Sequence, residues 1–146
     1  MRVVADTGPL VAAANKRDRA HGLAAALVTE LGRELVVPDP ILVETEQLLR
    51  ARVGPHAARL FLDAVVAGEH SVAFLTAGLL RRASELDARY GDLDLGLADA
   101  CVMAYAERHD LPILTFDFEH FRAAPPPEGF WRLVVDEARY AASMSN

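Results

Sequence analysis

The sequence predicts a three-layer α/β/α fold with a central, mostly parallel sheet. Short apolar runs alternate along the chain with longer segments of helical periodicity, which is the pattern of parallel strands connected by helices. The chain has 146 residues, 52% of them apolar, and these suffice for one domain with a hydrophobic core. No linker or repeat divides residues 1–146, and we expect roughly the last eight residues to form a flexible tail.

Five short apolar runs predict strands, and the segments around them predict helices. The strands are expected at residues 2–5, 35–37, 72–75, 113–116 and 130–135. The helices are expected at residues 9–14, 20–31, 40–53, 55–67, 77–90 and 95–109. Because strands alternate with helices, the sheet is expected to be parallel, and candidate sites lie beyond the carboxyl ends of its strands.

Capping and helix-breaking residues predict where these helices begin and end. Asp39 is expected to cap the third helix with Pro40 at its first position, and Gly54-Pro55 is expected to end it. Thr76 is expected to cap the fifth helix, and Asp94 the sixth.

Composition and charge exclude several classes of protein. No run of about 18 apolar residues is present, so no contact with a membrane is expected. Asp6 comes too early for the apolar region of a signal peptide, and Cys101 is the only cysteine, which together favour a cytoplasmic protein. The net charge of −6 argues against broad affinity for nucleic acids, but it does not exclude an enzyme that acts on them.

Four carboxylates lie where burial without a partner would be costly. Asp6 and Asp117 directly follow predicted strands, so both are expected at the carboxyl edge of the sheet. Asp99 and Glu44 lie near the amino ends of predicted helices, which meet the strands at that same edge. Because unpaired buried carboxylates cost several kcal/mol, a bound divalent cation would offset the repulsion of the whole set.

Mg²⁺ or Mn²⁺ is the expected cofactor, because these ions prefer hard oxygen ligands. Asp6 and Asp99 are the first candidates for direct metal ligands. Glu44 is expected to bind the metal through water or to orient the attacking water, and Asp117 completes the set of metal and catalytic candidates. The chain lacks HxxxH and CxxC pairs for zinc, and it lacks the GxxxxGK[ST], GxGxxG and GxSxG motifs of P-loop, dinucleotide-binding and serine-hydrolase proteins.

Other polar residues compete with these candidates or support them. Glu46 has apolar neighbours like those of Glu44, and periodicity alone does not choose between the two. Asp92 is expected to be structural, with the outer edge of the site as an alternative, and His120 is spaced to reach the site. Thr7 and Thr115 are candidates to orient carboxylates by hydrogen bonds. Arg17 or Arg19 is a candidate to hold flanking phosphates of the substrate.

Four segments that span the chain in order resemble the motifs of PIN-domain ribonucleases. They are VVADTGPL at 3–10, PDPILVE at 38–44, LGLADA at 95–100 and LTFDFEHF at 114–121. Their order, spacing and the chain length are similar to those of the VapC toxins of type II toxin–antitoxin systems. One departure is visible at Phe118-Glu119, where many relatives carry a basic residue, so an RNA contact is not carried over to that position.

The resemblance implies a PIN-like fold and selects Glu44 over Glu46. It also implies a metal-dependent endoribonuclease in which a metal-activated water attacks a phosphodiester of RNA. A homodimer is implied as well, together with an antitoxin that lays a segment beside the carboxylates. Transfer, ribosomal and messenger RNA all stay open as targets.

Two alternatives keep the same fold: a stand-alone PIN nuclease in RNA processing, and a catalytically inactive PIN-like binding module. A phosphotransfer domain with Asp6 as nucleophile is disfavoured, because no second aspartate follows Asp6 at the spacing DxDxT. The four carboxylates together favour an active enzyme over a binding module.

Overall fold

The computed structural model describes residues 1–145 and contains a four-stranded sheet whose strands all run parallel. The strands are β1 (Val3–Ala5), β2 (Leu35–Pro38), β3 (Ser71–Ala73) and β4 (Ile113–Leu114). Their order across the sheet is β3-β2-β1-β4. Every residue of β1 and β2 is buried, as expected for strands that are covered on both faces.

Eight α-helices in the described part of the chain flank this sheet and give the predicted three-layer α/β/α fold. They are α1 (Thr7–Ala14), α2 (His21–Leu31), α3 (Asp39–Arg52), α4 (Pro55–Val66), α5 (Ala77–Arg89), α6 (Gly96–His109), α7 (Phe118–Ala123) and α8 (Glu137–Ser143). Short 3₁₀ turns, Gly32–Glu34 and Gly91–Leu93, precede β2 and α6. No helix among residues 1–145 has the length and hydrophobicity needed to cross a lipid bilayer.

The strand order creates a crevice beside β1. From β1 the chain adds β2 and β3 on one side, and it then returns to place β4 on the other side of β1. Such a reversal leaves the carboxyl ends of the two neighbouring strands open to ligands. The backbone N–H of Asp6 donates a hydrogen bond of 2.9 Å to the carbonyl of Leu114, which holds the ends of β1 and β4 together.

Helix α6 packs its middle into the core, and its far end is tied to α5. Residues 100–106 of α6 are all buried. The guanidinium of Arg82 on α5 donates two hydrogen bonds, of 2.7 and 2.8 Å, to the carboxylate of Glu107. This pair links α5 to α6, the helix that carries Asp99.

Two predictions about strands were wrong in extent. The strand expected at 113–116 ends at Leu114, because the hydroxyl of Thr115 accepts a hydrogen bond from the backbone N–H of Asp117 and the chain turns out of the sheet. The strand expected at 130–135 is absent among the described residues. Only a single bridge joins Ile113 and Leu133, because β4 is too short to support a longer partner.

Two predictions about helix caps were also wrong. Asp39 is the first residue of α3 rather than its cap, and its carboxylate accepts a hydrogen bond of 3.1 Å from the backbone N–H of Leu75. Asp94 has a left-handed backbone with φ of 49°, and α6 begins two residues later without a side-chain cap. The prediction for Thr76 is confirmed, because its hydroxyl accepts from the N–H of Leu79.

The segment expected as a tail contains most of helix α8, which was not predicted from the sequence. Asp136 caps this helix, and Tyr140 packs against Phe116 with 4.5 Å between the ring centroids. Helix α7 was also missed; its cap is Asp117, which accepts from the N–H of His120. The last residue of the expected tail, Asn146, lies outside the described residues.

Candidate active site

Asp6 is a buried carboxylate at the carboxyl end of β1. It is only 5% exposed, and both of its oxygens accept hydrogen bonds. The backbone N–H of Thr7 donates to Oδ1 at 2.8 Å, and the hydroxyl of Thr115 donates to Oδ2 at 2.7 Å. Burial raises the pKa of Asp6, the two hydrogen bonds oppose that effect, and the negative charges of Asp117 and Glu44 reinforce it.

Thr115 connects the two carboxylates that follow β1 and β4. Its hydroxyl donates to Asp6 and accepts from the backbone N–H of Asp117 at 2.9 Å, and the residue is fully buried. Thr115 was a candidate to orient a carboxylate by a hydrogen bond, and it has this role toward Asp6. Thr7 orients Asp6 through its backbone, whereas its buried hydroxyl has no hydrogen-bond partner among the described residues.

Asp99 and Asp117 meet at the side chain of His120. The imidazole Nδ1 of His120 lies 2.9 Å from Oδ2 of Asp117 and 3.2 Å from Oδ2 of Asp99. The ligand atoms of these three residues all lie within 4.8 Å of one another. Asp99 comes from the first turn of α6 and the other two from the start of α7, so α6 and α7 together build this cluster.

The cluster changes the pKa of its members in the direction expected for crowded carboxylates. Burial first, and then the charge of Asp6, raise the pKa of Asp99 to about 7. Burial opposes protonation of His120, but the charges of Asp117 and Asp99 outweigh it and raise the pKa of the imidazole. The site therefore holds a surplus of negative charge that a cation would relieve.

Glu44 lies in the second turn of α3 and contributes to the same site. With Asp117 it lines a cleft of about 380 Å³, and its charge acts on Asp6. Glu46, its competitor, is instead bonded to Arg50 one turn later, at 2.7 Å. The structure thus brings Asp6, Asp99 and Asp117 together and places Glu44 at the edge of the cleft, whereas Glu46 belongs to a surface ion pair.

The residues of the site fit a divalent cation. The carboxylates of Asp6, Asp99 and Asp117 supply the hard oxygen atoms that Mg²⁺ and Mn²⁺ prefer, and Glu44 can add another. The buried hydroxyl of Thr7, which also lines the cleft, is a further polar atom without a partner in residues 1–145. His120 is the one nitrogen donor, and its imidazole lies between two carboxylates as a cation would.

Several residues of the cleft were not identified from the sequence. Phe116 and Tyr140 form an aromatic wall, and Asp18 lines the cleft while its carboxylate accepts from the N–H of Ala20. No local sequence pattern marked Tyr140 as a residue of the site, because the tertiary fold alone brings α8 to the cleft. Asp92, considered as an outer edge, is not among the residues that line the cleft.

The family comparison agrees with this geometry. The model of the PIN domain family matches residues 3–125, which include all four candidate carboxylates. The chain belongs to the PIN domain family. Its parallel sheet, the crevice beside β1 and the cluster of carboxylates are therefore features of a PIN domain.

Individual relatives of this PIN domain are similar over almost their whole length. Ribonuclease VapC26 of Mycobacterium tuberculosis is 28% identical over 128 residues, which cover 87% of this chain and 95% of the relative. The crystal structure of VapC20 of M. tuberculosis matches with a TM-score of 0.77 and 24% identity, and the match covers 90% of this chain and 98% of that chain. VapC20 is described as a toxin that cleaves the sarcin–ricin loop. A toxin–antitoxin complex from Klebsiella pneumoniae matches with a TM-score of 0.58 and 18% identity, covering 88% and 99%. The two structural matches establish the shared fold.

Proposed function

We propose that this PIN domain is a metal-dependent endoribonuclease and the toxin of a VapBC-type toxin–antitoxin pair. The observation that carries the proposal is the convergence of Asp99, Asp117 and His120 within 4.8 Å, beside the buried carboxylate of Asp6. Similarity to a ribonuclease along 95% of that relative's length supports RNA as the substrate.

In the proposed mechanism, Asp6, Asp99 and Asp117 would hold Mg²⁺ or Mn²⁺, and Glu44 would bind the ion through water or orient the attacking water. When bound, the cation would lower the pKa of a water and neutralise charge on the phosphate oxygens. In the hydrolysis, the water oxygen would bond to phosphorus and lose a proton, while the bond to the leaving ribose oxygen would break and that oxygen would take up a proton.

Each residue around the carboxylates has a defined part in this proposal. Thr115 and the N–H of Thr7 hold Asp6 in one orientation. Asp117 keeps its orientation through the backbone of His120. Phe116 and Tyr140 give the cleft an aromatic wall.

The proposed toxin differs from the inactive binding module in its catalytic activity, and from the stand-alone nuclease in having an antitoxin partner. An inactive binding module would have no need for Asp6 and Asp99, whose ionised state is disfavoured by burial and by the charges of nearby carboxylates. The structural similarity to a toxin–antitoxin complex favours a toxin over a stand-alone processing nuclease. An antitoxin segment that covers the cleft would block access of RNA to the carboxylates.

A homodimer is part of the proposal, because apolar side chains on α3 and α4 are left exposed. Val43 and Leu60, for example, are 54% and 55% exposed. Sedimentation velocity measures the assembly state directly. Because RNA is the proposed substrate, the proposed location is the cytoplasm.

The decisive experiment maps cleavage sites on total RNA in the presence of Mg²⁺, Mn²⁺ or EDTA. We expect cleavage with either ion and none with EDTA, and we expect Asp6→Ala and Asp99→Ala to abolish it with their circular dichroism unchanged. Asp87→Asn removes an exposed acid from α5 and serves as the matched control. Cleavage that persists in both active-site variants, purified in the same way, would refute the proposal.

A further inference from the structure

Arg52, at the end of α3, lies where two cavities meet. It lines the cleft that contains Glu44 and Asp117. It also lines a neighbouring groove of about 730 Å³, formed between α1, α2 and α4, which Lys16 and Arg17 line as well. Arg52 is therefore shared by the carboxylate cleft and by a groove that is lined by three cations.

These three cations have no acidic partner in residues 1–145. Lys16, Arg17 and Arg52 are exposed, and none forms an ion pair or donates a hydrogen bond from its side chain within that part of the chain. Other arginines are bound internally: Arg50 to Glu46, and Arg82 to Glu107. In a chain with a net charge of −6, a groove that is lined by three such cations and shares Arg52 with the carboxylate cleft is a local reversal of charge.

The second candidate from the sequence, Arg19, is not part of this group. Its guanidinium donates a hydrogen bond of 3.1 Å to the carbonyl of Met144 and so ties the loop after α1 to the end of α8. Arg17, two residues earlier, is among the residues that line the groove. Of the two arginines singled out in the sequence, the structure favours Arg17.

We propose that Arg52 binds the phosphate next to the scissile phosphate of an RNA strand, and that Lys16 and Arg17 bind phosphates farther along the same strand. This inference rests on the proposed nuclease function and adds the path of the substrate. Carboxylates repel the phosphates that approach them, so a cation at the edge of the cleft offsets that repulsion. A guanidinium suits this position, because its fork of donors matches two phosphate oxygens.

The test measures kcat and KM with Mg²⁺ on a short labelled RNA that contains a cleavage site of the wild-type protein, over a series of KCl concentrations. We expect Arg52→Ala to raise KM roughly fivefold or more with a smaller change in kcat, and to reduce the slope of log(kcat/KM) against log[KCl] by about one. Arg52→Lys should restore part of the loss, and Lys16→Ala with Arg17→Ala should raise KM further.

Arg81→Ala is the matched control, because Arg81 is an exposed arginine on α5 that lines neither cavity. It should leave KM and the salt slope as in the wild type. An Arg52→Ala protein with wild-type melting temperature, KM and salt slope would overturn the inference, and so would a loss confined to kcat.

Two further outcomes separate this inference from others. If the wild-type protein cleaves RNA but Arg52→Ala weakens only the binding of poly-glutamate, the cations serve an acidic protein segment and the inference fails alone. If the wild-type protein cleaves no RNA with either metal ion, the proposed function and this inference fail together.

Discussion

The hydroxyl of Thr115 donates a hydrogen bond of 2.7 Å to the carboxylate of Asp6, although 109 residues separate them in the sequence. The same hydroxyl accepts from the backbone N–H of Asp117 at 2.9 Å. One buried atom thus binds the carboxylate of Asp6 and the backbone of Asp117, just beyond the ends of neighbouring strands, and the parallel pairing of β1 with β4 makes this possible.

Replacing the hydroxyl of Thr115 tests this relationship. We expect Thr115→Val to lower the affinity for Mn²⁺ by about 10- to 100-fold, because Asp6 loses a donor that holds its orientation. Stability should fall by about 1–3 kcal/mol, since a buried carboxylate loses a partner. Thr115→Ser keeps the hydroxyl and should retain most of the affinity. Equal Mn²⁺ affinity in Thr115→Val and wild type, measured by calorimetry, would contradict the orienting role.

The raised pKa of Asp99 predicts how stability depends on pH. Its pKa of about 7 lies above the ordinary value of 3.8, so its contribution to the stability of the metal-free protein is complete below about pH 4 and is lost as pH rises to about 7. We expect urea denaturation in EDTA to show a loss of roughly 2–4 kcal/mol from this group across that range.

The matched pair for the pH experiment is Asp99→Asn and Asp87→Asn. Asp99→Asn should reduce the loss of stability with rising pH, because its side chain cannot ionise, while the contribution of Asp6, whose pKa is also raised, stays. Asp87→Asn changes an exposed residue and should leave the pH dependence as in the wild type. The same loss of stability in Asp99→Asn and wild type would assign the pH dependence to groups other than Asp99.

Addition of Mg²⁺ or Mn²⁺ should raise the melting temperature. At a concentration of about 100 Kd the ion stabilises the folded protein by about 2.7 kcal/mol, which corresponds to roughly 5–10 °C for a chain of this size. Asp99→Asn and Asp117→Asn should lose this gain, and EDTA should reverse it. Glu46→Gln, which alters the ion pair with Arg50, should keep it. The same rise in melting temperature in the wild type and in all three variants would show that the ion binds outside the carboxylate cluster.

Loss of the Arg82–Glu107 ion pair is expected to lower stability without changing the rate of RNA cleavage. Arg82→Met removes two charge-assisted hydrogen bonds between α5 and α6, and we expect the free energy of unfolding to fall by about 1 kcal/mol, less at high salt. The rate of RNA cleavage under saturating conditions should not change. A cleavage rate that falls together with stability would show that the angle of α6 controls the position of Asp99.

Local sequence alone determined the elements whose boundaries depend on neighbouring residues. The cap at Thr76, the break at Gly54-Pro55 and the buried strands β1 and β2 were predicted because each depends on backbone propensity or on a run of apolar side chains. The four carboxylates could be placed at one edge of the sheet, because the ends of parallel strands and the starts of the helices between them meet there.

Only the tertiary structure decided which groups touch. Asp39 carries the local pattern of a cap, but a distant N–H, that of Leu75, is its partner. His120 lies between Asp99 and Asp117, and Tyr140 reaches the cleft from α8, because packing brings together segments that have no local signal for one another. Hydrogen bonds and charges act over a few ångströms in space. The sequence therefore predicts which side chains lie at one edge of the sheet, but only the folded structure determines which of them are in contact.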